Sequence, residues 1–78
     1  MAYYEVFDLE SANLLATPES EAEALAFVRD LLGTGEQNYL TELALGFTDD
    51  DGSRLAVAEG LALTALALTN TQINPIAA

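Results

Sequence analysis

The chain has 78 residues, with 13 acids, two arginines and no lysine, histidine or cysteine, so its formal net charge is −11. A chain this short forms one domain with a small core. Without cysteine and histidine it lacks the usual zinc and transition-metal ligands and a thiol or imidazole for catalysis. Two cations cannot neutralise a row of phosphates or hold an anionic lipid surface. We therefore expect no cofactor, no nucleic-acid partner and no membrane partner.

Location in the cell is addressed by two stretches of the sequence. Before the C-terminal tail, the longest run without a charge or glycine is 61–68, which is shorter than the ~18 apolar residues of a membrane-spanning helix. Residues 1–5 lack the basic start and apolar middle of a signal peptide. The expected compartment is the cytoplasm.

The first predicted element is a β-hairpin. Residues 3–9 are rich in aromatic and β-branched types, 10–13 are polar, and 14–16 return as a short strand. With a three-residue loop, one face carries Tyr4, Val6, Leu14 and Ala16, and the other carries Tyr3, Phe7, Leu9 and Leu15. Because both faces are apolar, we expect a helix to cover one face and something else to cover the other.

A helix is predicted over 21–32. Ser20 and Glu23 form a capping box at its start, and Gly33 suits a left-handed cap at its end. The apolar residues that fall on one arc of this helix are Ala24, Leu25, Phe27, Val28, Leu31 and Leu32.

A second hairpin is predicted over 39–59. Residues 39–47 alternate, with Leu43, Leu45 and Phe47 on one face, and 55–59 form the return strand. A two-residue turn would place the apolar residues of the return strand on the wrong face. A three-residue loop at 50–52, with a left-handed glycine, pairs Phe47 with Leu55 and Leu45 with Val57.

The sequence ends in an Ala- and Leu-rich segment and a polar tail. Residues 61–68 favour a helix, although their partial alternation also permits a strand. In the helix, the residues expected to face inward are Leu61, Ala65, Leu66 and Leu68. The predicted fold is therefore α+β in the order ββαββα: an antiparallel sheet of about four strands with two helices packed on one face. One domain spans 1–70, and 71–78 form a flexible tail.

The acidic turn is the densest chemical feature of the chain. If Gly52 took the sixth position of an EF-hand loop, Phe47 would be first and Ala58 twelfth, and neither coordinates calcium. The turn is therefore interpreted as solvated, without a metal site. The serines have no histidine or lysine to activate them, so no catalytic residue is predicted and the chain is expected not to be an enzyme.

Candidate interaction residues come from the aromatic start, the arginines and the turn. Arg29 has no carboxylate three or four positions away in its helix, so it either favours the helix dipole or pairs with an acid on another element or chain. Arg54 follows three aspartates and is interpreted as their local neutraliser. The residues assigned to an interaction surface are Tyr4, Val6, Leu14, Arg29, Asp49, Asp50 and Asp51.

One family resemblance is carried by the hairpin and the helix start. The leading strands followed by Thr17-x-x-Ser20-Glu21-Ala22-Glu23-Ala24 resemble the opening of HicB-type antitoxins, in which strands precede a "T-x-E-E-A" helix start. The resemblance covers about a third of the chain and lacks that family's Gly- and Pro-rich loop between the strands. It implies neutralisation of a small basic toxin.

The expected function is a non-enzymatic interaction module. Surplus apolar strand faces on a short chain favour a homodimer. The charge of −11 favours a basic protein partner. Two alternatives remain open at this point: an antitoxin-like neutraliser of a small basic toxin, and a purely structural, self-assembling small protein.

Overall fold

A computed structural model describes residues 2–71. Its elements are β1 (Tyr3–Asp8), β2 (Asn13–Ala16), α1 (Glu21–Leu32), α2 (Tyr39–Glu42), β3 (Leu43–Thr48), β4 (Arg54–Glu59) and α3 (Leu61–Thr71). The predicted α+β fold with its ββαββα order is confirmed, with the single turn α2 added before β3. Thr71 ends α3, and residues 72–78 of the predicted tail lie outside the described residues.

The four strands form one antiparallel sheet in the order β2-β1-β3-β4. The central strands come from different hairpins and pair along their whole length, from Tyr3 opposite Thr48 to Asp8 opposite Leu43. Helices α1 and α3 pack on each other and on one side of this sheet. We call that side the covered face and the other side the open face.

Each edge strand carries a β-bulge. Leu15 is the extra residue of β2, and Val57 is the extra residue of β4. Both extra side chains pack against the core. The bulge in β2 therefore corrects the predicted faces, because Leu14 stands opposite Phe7 on the open face and Leu15 lies on the covered face. The prediction from sequence assumed strict alternation and included no bulge.

The second hairpin is confirmed in its turn and corrected in its register. Phe47 pairs with Leu55, and Gly52 has the left-handed backbone (φ 89°) that was expected. Leu45 pairs with Ala58 instead of Val57, because Val57 is the bulge residue.

The core is small and lies between the sheet and the helices. Its fully buried apolar residues are Val6, Ala24, Leu25, Val28, Leu43, Leu45, Leu63 and Ala67. Helix α1 begins and ends where predicted, and Ser20 Oγ accepts a hydrogen bond from the Glu23 N–H at 3.1 Å. Its C-terminus is corrected: Gly33 continues the right-handed turn (φ −70°), and Gly35 takes the left-handed position (φ 87°).

Residues 39–42 form a helical turn where a strand was predicted. The Glu42 N–H donates to the carbonyl of Asn38 at 2.8 Å, and the Glu42 carbonyl accepts from the Leu9 N–H at 2.6 Å. Thr64 Oγ donates to the Leu40 carbonyl at 2.8 Å. The turn is thus held by hydrogen bonds to the loop after β1 and to α3. The alternation of residues 39–47 does not predict these contacts.

The last element is a helix, as favoured, but its inward face is corrected. Leu63 and Ala67 are fully buried and Leu66 is half-buried, whereas Leu61 and Leu68 are 67% and 51% exposed. The rotation of α3 follows from its start, because left-handed Gly60 (φ 62°) donates its N–H to the Leu43 carbonyl at 2.9 Å.

Candidate interaction surface

The open face of the sheet is made mostly of small and apolar side chains. By strand register it comprises Tyr3, Glu5 and Phe7 of β1, Leu14 of β2, Ala44, Gly46 and Thr48 of β3, and Arg54, Ala56 and Glu59 of β4. The small residues of β3 and β4 leave a shallow concavity of about 300 Å³ at its centre. No helix of the described residues lies over this face, since α1 and α3 pack on the other side.

Glu5 is a buried acid on this face, and two side chains donate hydrogen bonds to it. Arg54 Nη2 donates to both carboxylate oxygens of Glu5, at 2.9 and 3.2 Å, and Thr48 Oγ donates to Oε1 at 3.1 Å. The Glu5 side chain is 9% exposed, whereas that of Arg54 is 66% exposed. Gly46, opposite Glu5 on β3, has no side chain to block the guanidinium as it reaches across that strand.

This pair corrects the role predicted for Arg54. Its guanidinium contacts Glu5 two strands away instead of neutralising the adjacent aspartates. The hydrogen bonds to Glu5 and the charge of that carboxylate raise the pKa of Arg54. The charge of Glu5 on the open face is therefore compensated by Arg54.

The acidic turn is organised by its own hydrogen bonds. The carboxylate of Asp49 accepts from the N–H groups of Asp51 and Ser53 at 3.1 and 3.0 Å, and Asp51 Oδ1 accepts from the Ser53 N–H at 2.9 Å. Hydrogen bonding with the Asp49 carboxyl and then with Ser53 lowers the pKa of Asp51 from 3.8 to about 2. These carboxylates shape the turn.

Apart from Glu5, the acids lie at the two ends of the sheet. The Tyr3–Thr48 pair and the hydrogen bond from the Tyr4 N–H to the Pro18 carbonyl place the acidic turn and the start of α1 at one end. We call this the turn end; its acids are Glu19, Glu21, Glu23, Asp49, Asp50 and Asp51. Helix α1 is about 18 Å long, similar to the strands, so its C-terminus reaches the opposite end, whose acids are Asp8, Glu10, Asp30, Glu36, Glu42 and Glu59.

The residues that the sequence assigned to one interaction surface are distributed over the molecule. Val6 is fully buried beneath the helices, and Tyr4 packs on the core with its ring 4.9 Å from that of Phe47. Leu14 is 49% exposed on the open face. Arg29 Nη1 donates to the Ala67 carbonyl of α3 at 3.3 Å, in place of the acid that was considered.

Sequence reasoning passed over Glu5, Phe7, Arg54 and Glu59 as members of the surface. Alternation along β1 places Glu5 between Tyr3 and Phe7, and that signal was present in the sequence. The contact with Arg54 depends on the strand order, because β3 separates β1 from β4.

Comparison with known proteins gives no relative: no family model, no curated protein and no solved structure matches the chain. The resemblance to HicB-type antitoxins therefore has no family match behind it. Within residues 2–71, no three His, Cys, Asp or Glu side chains are grouped so that they could hold a metal ion. No helix among the described residues has the length and apolar character needed to span a bilayer.

Proposed function

We propose that the chain is a non-enzymatic protein-interaction module that forms a homodimer and binds a basic protein partner. The observation that carries the proposal is the separation of its surface into two kinds. The ends of the sheet carry nearly all of the acids, and the open face carries mostly apolar and small residues with one internal ion pair, and Glu59 at its border.

The turn end is the proposed contact for the basic partner. Its acids come from two neighbouring segments, 19–23 and 49–51, which the pairing of Tyr3 with Thr48 and the hydrogen bond from the Tyr4 N–H to the Pro18 carbonyl bring to the same end of the sheet. A surface of this sign attracts a cationic protein and speeds its encounter, more strongly at low salt. A small basic toxin, as the HicB resemblance implies, is one partner of this chemistry.

The experiment compares two triple variants that remove the same charge from opposite ends. Glu19→Gln/Glu21→Gln/Asp50→Asn neutralises the turn end, and Asp30→Asn/Glu36→Gln/Glu42→Gln is the matched control. Each variant and the wild type are immobilised, exposed to native lysate and eluted with rising salt, and the eluted proteins are identified by mass spectrometry.

We expect one basic protein to be retained by the wild type and the control and lost by the turn-end variant. Retention of no basic protein, or equal loss in the two variants, would contradict the proposal. Equal loss would show that net charge alone attracts cationic proteins, which leaves the self-assembling alternative as the better interpretation.

A further inference from the structure

The open face is a broad surface that no helix of the described residues covers. The Cα extents are 37 × 31 × 16 Å, which describes a slab of one sheet and one helix layer. Strands up to about 20 Å long and about 4.8 Å apart give the open face a footprint of about 400 Å², which is the scale of a modest interface. On the open face the half-buried Phe7 and the 49% exposed Leu14 surround small residues of β3 and β4.

The edges of the sheet are less suited to a partner than its face. Both edge strands, β2 and β4, are interrupted by a bulge. A bulge twists an edge strand and breaks its row of unpaired backbone groups, which is a common way to prevent edge-to-edge pairing. An incoming sheet would therefore stack on the open face more readily than it would extend the sheet.

Charge indicates that the occupant is a second copy of this chain. The ionised groups on the open face are the Glu5–Arg54 pair and Glu59, so this face is nearly neutral although the whole chain carries −11. Two copies that meet through it keep their acidic ends at the rim, where water and salt screen the repulsion. A strongly basic partner would find more charge at the ends of the sheet.

The face is also complementary to itself. Arg54 and Glu59 lie at opposite ends of β4 and both point to the open side, opposite Thr48 and Ala44. Consider a two-fold axis that lies between the two sheets, parallel to their planes and perpendicular to β4, and that passes over the middle of β4. This axis stacks the two β4 strands on each other in opposite directions. Arg54 of each copy then faces Glu59 of the other, which is the reciprocal contact that two-fold symmetry requires.

We propose that the open face binds a second copy of this chain as a two-layer stack of sheets, with Arg54 of one copy paired with Glu59 of the other. This inference rests on the homodimer of the proposed function and specifies its surface. The sheets would be about 10 Å apart, as in other face-to-face sheet packings, with Ala56 of both copies near the axis and Phe7 of each copy opposite Tyr3 of the other.

The first test uses two exposed alanines. Ala56→Glu introduces a charge near the two-fold axis, and Ala62→Glu introduces the same charge on the exposed side of α3. Sedimentation equilibrium from roughly 1 to 100 µM covers the affinities of modest interfaces. We expect a wild-type dimer in this range, at least a tenfold weaker dimer for Ala56→Glu, and no change for Ala62→Glu. A monomeric wild type, or equal behaviour of the two variants, would overturn the proposal.

The second test separates the reciprocal ion pair from net charge. Glu59→Arg and the control Glu36→Arg, in the exposed loop after α1, lower the negative charge equally. If only overall repulsion mattered, both would tighten the dimer. We expect Glu59→Arg to weaken it, because two arginines then face each other, and Glu36→Arg to tighten it slightly. Tightening by Glu59→Arg would contradict the proposed symmetry.

A third variant distinguishes a stacked dimer from one paired through its edges. Phe7 lies on β1, which is flanked on both sides by other strands, so Phe7→Ser leaves both edges unchanged. We expect this variant to be monomeric with a native circular dichroism spectrum. A dimer as stable as the wild type would overturn the stacked arrangement.

Salt distinguishes failure of this inference from failure of the basic-partner proposal. Binding of a cationic partner weakens as salt is raised, whereas association of two anionic copies strengthens because their repulsion is screened. If the chain stays monomeric but retains a basic protein at low salt, only the dimer proposal fails. If the chain dimerises more tightly in salt and retains no basic protein, only the basic-partner proposal fails.

Discussion

The two faces of one sheet use the same strands in different ways. On the covered face, alternate positions carry large apolar residues such as Val6, Leu43 and Leu45, each at most 1% exposed under α1 and α3. On the open face, the intervening positions of β3 carry Ala44, Gly46 and Thr48. A protein of this size can fill one side of a sheet with its own helices. On the second side no helix of the described residues packs, and the Glu5 carboxylate is covered by Arg54 and Thr48.

The largest expected difference between the faces is their contribution to stability. Leu45→Ala removes a fully buried side chain and should lower the free energy of unfolding by about 2–5 kcal/mol. Leu14→Ala, on the open face, should change it by less than about 1 kcal/mol in the monomer. Urea unfolding at low concentration, followed by circular dichroism, measures both. Similar losses would mean that the open face is as well packed as the covered one.

The ion pair provides the next largest effect. Arg54→Leu leaves the buried Glu5 carboxylate without its cation, so we expect a clear fall in the thermal midpoint, smaller than that of Leu45→Ala. The double variant Glu5→Leu/Arg54→Leu removes both charges and should recover most of the loss. Thermal unfolding of the wild type, the single variant and the double variant completes this comparison. A double variant less stable than Arg54→Leu would show that the two side chains stabilise the fold by more than the compensation of each other's charge.

The smallest effect concerns the acidic turn, which belongs to neither face. The pKa of Asp51 is lowered from 3.8 to about 2 in the folded chain. The ionised form is therefore favoured by folding, and its stabilisation is present above about pH 4 and lost as the pH falls towards 2. We expect the melting temperature of the wild type to be higher than that of Asp51→Asn at neutral pH, and we expect this difference to disappear near pH 2. A difference independent of pH would show that the carboxylate charge has no part in it.

The sequence predicts the elements of this fold better than its pairings. The capping box at Ser20 and the apolar arc of α1 are local signals, and they locate the helix correctly. The faces of β2 and α3 are not local, because they depend on the bulge at Leu15 and on the hydrogen bond of Gly60 to Leu43. One extra residue in a strand, or one rotation at a helix start, exchanges the inward and outward side chains.

The candidate surface was less accessible to sequence reasoning for the same reason. The two apolar faces of the first hairpin predicted a helix over one face and something else over the other. Helices cover one face, and the cover of the other stays a prediction. The residues that fill the open face come from four strands, and their grouping requires the order β2-β1-β3-β4. Arg54 illustrates the limit. Its nearest acids in sequence are the turn aspartates, whereas its contact is Glu5, 49 positions earlier in the sequence.

The most direct test of the central claim, that the open face receives a second copy, is a dilution series followed by nuclear magnetic resonance. Amide resonances would be recorded from high to low micromolar concentration. We expect those of Phe7, Gly46 and Ala56 to shift together with one dissociation constant, while those of Leu61 and Ala62 on α3 stay constant. Shifts confined to α3, or spectra that do not change with concentration, would contradict the account.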